Sequence, residues 1–288
     1  QRPICEKCGY QLMTYLTTET ELRNTIGTPP NTIHLKKLKV LEEHSRRYLE
    51  MSDLIAISGR NIPARIGLIA TEQTPLNIIS DGQFSITMDG DDSWAVPLQN
   101  EPVGMYVLIA GFEESLRING LVFLSKNSEE QWVLRVDITE HYFHCAKSIK
   151  RAQFWVPQKD CLPTASPLQE EESFSKDIKD FILRASFLLL ATENDKGEAD
   201  LSPRGDPAGF LRVLDDNRVL IPERPGNKIA DSLRNILINS SMAIIVFIPG
   251  SKQTLILTGG GKLTNSTALL GDSEFNGKTP KLGIVLSV

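Results

Sequence analysis

The sequence has 288 residues, 41% of them hydrophobic and 23% charged, with a formal net charge of −5 and a pI of about 5.5. A mildly acidic chain is a poor match for nucleic acid or an anionic membrane surface, although a local basic cluster can still hold a small anion. Four cysteines do not make a disulfide scaffold, no apolar run reaches the roughly 18–20 residues that span a bilayer, and no charged-then-apolar leader opens the sequence, so the cytoplasm is the expected compartment.

Residues 1–50 are polar and read as a mostly helical N-terminal segment. Leu35, Leu38, Leu41 and Tyr48 recur near helical spacing, after a break at Gly27 and Pro29-Pro30. From residue 51 to 155 the texture changes to short β-prone runs, among them LIAIS, ARIGLIA, SWAVPL, GMYVLIAG and WVLRVDI, divided by turn residues. That pattern predicts a meandering sheet or barrel. EHYFHCAKSIKRAQFW then reads as a short helix with a tail, and 156–173, rich in Pro, Ser and acidic residues, as a linker.

From 174 to 288 the pattern restarts. FSKDIKDFILRASFLLLAT repeats the helix feeding a strand of HSRRYLEMSDLIAIS, and Gly111 and Gly120 match Gly250 and Gly259 at one offset. FSITMDGDDSWAVP aligns with FLRVLDDNRVLIP, setting Phe84 against Phe210 and Pro97 against Pro222. We read two tandem copies of one domain of about 120–140 residues. The second copy holds ERPGNKIADSLRNILINSS where the first has only LQNEP. The second in turn lacks a partner to the EHYFHCAKSIKRAQFW tail.

The stretch SPRGDPAGFLRVLDDNRVLIPERPGNK carries the chemistry. A strand ends at Pro222, and a helix is predicted to start near Asn227 as N-cap, with Ile229, Leu233, Ile236 and Leu237 on its apolar face. A helix N-terminus offers free N–H groups and a positive dipole end, which suits a phosphate. Arg224 and Lys228 flank that end, and Arg204 can add a forked grip. Local sequence alone leaves a solvated basic loop as the competing reading.

The residues Ser202-Pro203-Arg204-Gly205-Asp206, Ile221 to Asn227 and Ser232-Leu233-Arg234-Asn235-Ile236 resemble the pyridoxamine 5'-phosphate oxidase-like flavoproteins, in particular the bacterial branch with S-P-R-G-D, [IL]-P-x-R-P-G-N and S-L-R-N-I. The first copy is more weakly similar, through Glu114 to Gly120 and the tail His144 to Arg151. The resemblance implies paired split β-barrels with FMN in the cleft between them. It implies that Arg204, Arg224, Asn227 and Lys228 hold the phosphate, with Ser202 and Pro222 beside the flavin. Ile256 stands where the family has an arginine, and the first copy keeps that arginine as Arg117. The expected architecture is therefore mainly β, two tandem split barrels forming a pseudo-dimer within the chain. One FMN site is expected, with Arg117 on its facing wall.

Cys5 and Cys8 form a C-x-x-C, half of a zinc site at most, and no metal is expected. No Ser-His-Asp set, P-loop or G-x-G-x-x-G is present. The glycines of TGGGKL read as a bulge or close backbone approach within a strand. With the cofactor carrying the chemistry, no catalytic acid or base is assigned. The expected function is a flavin-dependent oxidoreductase acting on a small molecule, with NAD(P)H as candidate reductant. A non-catalytic flavin- or ligand-binding protein on a decayed oxidase scaffold is the alternative. The sequence leaves open whether two chains pair.

Overall fold

The structure is a computed structural model, and it describes residues 14–30, 37–60, 66–71, 74–88, 93–156, 173–226, 228–274 and 277–288. A two-residue strand β1 (Tyr15–Leu16) and helices α1 (Glu19–Ile26) and α2 (Glu43–Glu50) come first. The first half then runs β2 (Leu54–Gly59), β3 (Ile66–Ala70), β4 (Leu76–Ser80), β5 (Gln83–Met88), β6 (Pro102–Leu108), β7 (Ser115–Lys126), β8 (Trp132–His144) and α3 (Lys147–Ala152). The second half runs α4 (Lys176–Arg184), β9 (Phe187–Glu193), β10 (Ala199–Gly205), β11 (Arg212–Val213), β12 (Arg218–Glu223), α5 (Asp231–Ile238), β13 (Ser241–Phe247), β14 (Thr254–Thr264), α6 (Thr267–Leu270) and β15 (Leu282–Ser287).

The fold is mainly β, with two antiparallel sheets each curled into a half-barrel. One has the order β3-β2-β6-β7-β8-β5-β4, the other β10-β9-β13-β14-β15-β12-β11, with β1 added to β14. The two orders are the same path traced twice. Glycines mark it: Gly111 and Gly250 turn the chain before β7 and β14 at φ 80° and 78°. A Cβ on Gly120 would lie 2.7 Å from Asp137 O, and one on Gly259 1.9 Å from Ser287 O. Gly120 and Gly259 thus meet the neighbouring strand at the same point of the path.

Continuous apolar runs arise because the central strands are buried on both faces. On β9, Leu188 and Leu190 point into the second half-barrel, while Phe187, Leu189 and Ala191 face the other sheet. On β6, Met105 and Val107 fill the first half-barrel, while Tyr106 and Leu108 join the layer between the sheets. A period of two therefore divides each run between a private core and a shared one. Gly104 sits where β6 meets β10 of the other sheet, since a Cβ there would be 3.0 Å from Leu201 N.

Three expectations are corrected. The helical spacing read through Leu35, Leu38, Leu41 and Tyr48 is not one helix: among the described residues α2 covers Glu43–Glu50, and Leu38 pairs in extended form with His141. Lys37 lies outside any helix, between Glu140 at 3.1 Å and Asp231 at 3.3 Å. SWAVPL is a 3-10 helix rather than a strand. The register also changes one alignment. Gln83 pairs with Asp137 and Arg218 with Ser287, so Phe84 takes the place of Val219, and Thr87 that of Pro222. The expected pairs Phe84/Phe210 and Pro97/Pro222 fail because the apolar spacing spans different turns in the two halves.

Candidate functional site

β10 is an edge strand, so Pro203 removes no ladder hydrogen bond from it. Its alternation puts Asp200, Ser202 and Arg204 on one face, while Leu201 turns into the shared core. Arg117 reaches this face from β7 of the other sheet. Its Nη1 stands 2.7 Å from Asp200 Oδ1 and donates to Tyr142 Oη at 2.7 Å, and its Nε donates to Asn119 Oδ1 at 3.1 Å. Ser232, in the first turn of α5, donates to Asp200 Oδ2 at 3.0 Å and shares a 2.6 Å hydrogen bond with Ser202. Arg204 Nη1 donates to Ser202 Oγ at 3.2 Å, and its Nε to Glu223 Oε2 at 2.7 Å. A buried polar chain therefore joins Arg117 of the first half to Arg204 of the second.

At the other end of β10, Asp206 pairs with Arg224 of its own half and, at 2.8 Å, with Arg151 of α3. Arg151 Nε also donates to Gly205 O at 2.9 Å. Gly205 must be glycine here, because a Cβ would lie 2.3 Å from Ser148 O. The tail unique to the first half thus closes over the S-P-R-G-D strand of the second.

Between these two junctions lies a cleft of about 650 Å³, lined by both halves and by Thr25 and Ile26 of α1. Six sequence-predicted residues line it: Arg117, Ser202, Arg204, Pro222, Arg224 and Lys228. Asn227 lies outside the described residues. The expected helix start near it is corrected: α5 begins at Asp231, with Ala230 as N-cap in the left-handed region at φ 65° and no side-chain cap. Lys228, at φ 63°, is left-handed as well.

Other groups were missed in the sequence. Lys147, Lys278 and Lys281 line the cleft, and with Lys228 they have no ion pair among the described residues. Asp200, Asp206, Glu223 and Asp231 line it too and hold the arginines. Asp200 was within reach of pattern reading, since D-x-S-x-R shares one strand face. The lysines come from three separate segments that only folding unites.

Burial pushes the Asp200 carboxyl upward, opposed by Arg117. Burial also works against the charge on Arg117, but Asp200, Tyr142, Asp231 and Glu140 outweigh it and hold the guanidinium protonated. His144, on the cleft wall, is lowered to about 3 by burial and then by the charges of Arg117 and Arg204, so its imidazole is neutral. Among the described residues no three His, Cys, Asp or Glu gather to hold a metal, and Cys5 and Cys8 lie outside them.

No family model matches the chain. No curated protein matches it either. Among solved structures it is similar to HupZ of Group A Streptococcus, at 18% identity and TM-score 0.33, over 40% of this chain and 89% of that one. It is also similar to a Lactobacillus delbrueckii protein provisionally assigned as a pyridoxamine 5'-phosphate oxidase, at 16% identity and TM-score 0.32, over 41% of this chain and 92% of that one. MrkH of K. pneumonia in its apo state matches at 9% identity and TM-score 0.24, over 83% of this chain and 78% of that one. Likeness this low decides nothing about the ligand.

Among the described residues, the first sheet carries different side chains at the positions that match this cleft wall. Leu54 pairs with Ala70 and Leu108 as Phe187 pairs with Gly205 and Phe247. Gly67 and Ile69 therefore stand where Ser202 and Arg204 do. The Trp94 ring covers Gly67, 2.4 Å from where a Cβ would be. Tyr106 pairs with Arg117 as Ile245 pairs with Ile256, so the facing arginine is absent on that side too.

Proposed function

We propose that the chain is an FMN-binding flavoprotein of the pyridoxamine 5'-phosphate oxidase-like class, built from two tandem copies of one domain, with one flavin per chain in the cleft. One observation carries the reading. Six residues picked from separate sequence motifs, one in the first half and five in the second, line a single cleft of a size suited to a cofactor. The matching strand paths of the two sheets support the duplication. Gly67, Ile69 and Trp94 on the opposite side support a single site.

The residues fit the group. Arg204 and Arg224 are oriented by Glu223 and Asp206 through Nε, Arg204 Nη1 also donates to Ser202 Oγ and Pro203 O and Arg224 Nη1 to Lys278 O, and each guanidinium has five donors in all. Lys228 adds a charge with no carboxylate of its own among the described residues. Ser202 and Pro222, both lining the cleft, would lie beside the ring, and Arg117, fixed by Asp200 and Tyr142, would form the facing wall. Neutral His144 adds no charge at physiological pH. A bound flavin would supply hydride or electron transfer, with NAD(P)H as the proposed reductant.

A second reading, a binder without turnover, is favoured by the carboxylates that already engage Arg117, Arg204 and Arg224. Flavin released from purified protein and quantified per chain tests the first claim: one is expected, and none or two overturns it. Anaerobic bleaching by NADPH or NADH, with reoxidation in air, separates enzyme from binder. Arg204→Ala and Lys228→Ala should each weaken FMN by about 10–150-fold, the value of a charge-assisted hydrogen bond. Unchanged affinity in both means the phosphate lies elsewhere.

A further inference from the structure

The backbone leading into α5 is held by a residue from outside both sheets. Arg23 of α1 donates from Nη1 to Lys228 O at 2.8 Å and from Nη2 to Ile229 O at 3.3 Å. Those carbonyls belong to a turn in which Lys228 and Ala230, neither of them glycine, take φ 63° and 65°. Left-handed backbone is costly for residues with a Cβ and persists where surroundings over-determine it. Arg23 contributes two hydrogen bonds to this turn.

α1 is placed firmly enough to serve. A capping box of Thr18 and Glu21 starts it, Leu22 is fully buried in the core of the second half-barrel, and β1 anchors the preceding chain on β14. Glu19 holds Arg23 Nε at 3.4 Å, which leaves the two terminal amino groups for the turn. Gly27 ends the helix at φ 80°, and a Cβ there would be 3.0 Å from Lys228 Nζ, so the missing side chain makes room for that lysine. Thr25 and Ile26 line the cleft itself.

We propose that Arg23 is a positioning residue of the anion site: it clamps the 228–230 turn in its strained form and so sets where Lys228 and the first amides of α5 present themselves to a phosphate. The choice of FMN as ligand rests on the function proposed above; the clamp itself does not. Ligand affinity is then governed in part by an N-terminal helix that lies outside both sheets and packs on the second half-barrel.

The test pairs FMN titration with hydrogen–deuterium exchange of residues 228–232, on the full chain. Arg23→Ala should weaken FMN about tenfold or more, the loss of two charge-assisted hydrogen bonds, and should speed exchange in that segment while the sheets stay protected. Ala230→Gly in the Arg23→Ala background should recover part of the lost affinity and protection, because glycine takes one of the two left-handed positions without a steric penalty. Rescue of that kind is not expected if Arg23 merely packs. Should Arg23→Ala fail to fold, Arg23→Lys, which keeps the charge but not the fork, carries the same comparison with an intermediate effect. Wild-type exchange in Arg23→Ala, or no recovery with Ala230→Gly, overturns the proposal. Absence of FMN binding by the wild type would instead refute the flavin reading and leave the exchange comparison to decide the clamp.

Discussion

Replacing Arg117 by Met tests whether the two halves are held by the buried pair rather than by the apolar layer alone. Arg117 is 4% exposed and Asp200 3%, at 2.7 Å. Removing one partner of such a pair costs about 3–5 kcal/mol because the other charge stays buried, against a total stability of about 5–15 kcal/mol. Asp200→Asn should cost less, since Asp231 remains 3.8 Å from Arg117 Nη1. The double variant buries neither charge, so it should lie well above the sum of the singles, with a coupling of about 1–3 kcal/mol. Urea unfolding at pH 7, followed by tryptophan fluorescence, measures all three. There is a pH signature as well. Without Arg117, the largest influence opposing burial of Asp200 is gone and only Ser232 and Arg204 still counter it, so its folded-state pKa rises further above its unfolded value. Stability is then retained at low pH and lost as pH rises, so the deficit of Arg117→Met should shrink between pH 7 and pH 5. Additive singles, or a deficit that does not change with pH, would refute the role given to this pair.

Gly205→Ala should push α3 off β10, because the new Cβ meets Ser148 O at 2.3 Å; a loss of about 1–3 kcal/mol is expected from overpacking, with faster proteolysis near residues 147–156. His144 is neutral in the folded chain down to about pH 3 and ionises near 6.5 when unfolded. Its contribution is therefore full above pH 6.5 and falls as the pH drops toward 3. His144→Gln should flatten the loss of stability between pH 7 and 5 by about 1–2 kcal/mol, and an unchanged slope would show that the ring is not the titrating group. Trp94→Ala should destabilise by about 1–3 kcal/mol, since this partly buried ring packs over Gly67, while flavin content per chain should stay the same. Loss of flavin there would place the ligand on the wrong side of the molecule.

Much of the fold was legible because the apolar runs are short, punctuated and repeated in order. The helices feeding β2 and β9, and the glycines at 111, 120, 250 and 259, could be read directly. The N-terminal stretch misled because Leu38 and Leu41 keep helical spacing while Leu38 pairs with β8 and only the next eight residues coil. At the site, the basic residues were legible by type and their partners were not. Asp206 answers to Arg151, 55 positions earlier in the chain, and the turn at Lys228 is shaped by Arg23, 205 positions away. Local capping rules placed the start of α5 too early because they cannot see a clamp that comes from another element.

The two half-barrels share one strand path but belong to one chain, and this changes what a substitution can do. In an isologous dimer of separate chains every change appears twice, once on each side of the axis. An arginine useful at one cleft is then imposed on the other. Here Arg117 faces the cleft from one half while Ile256 occupies the matching place in the other. With both half-barrels in one chain, a substitution on one side is not imposed on the other, so the facing wall and the basic residues of the cleft can be set independently.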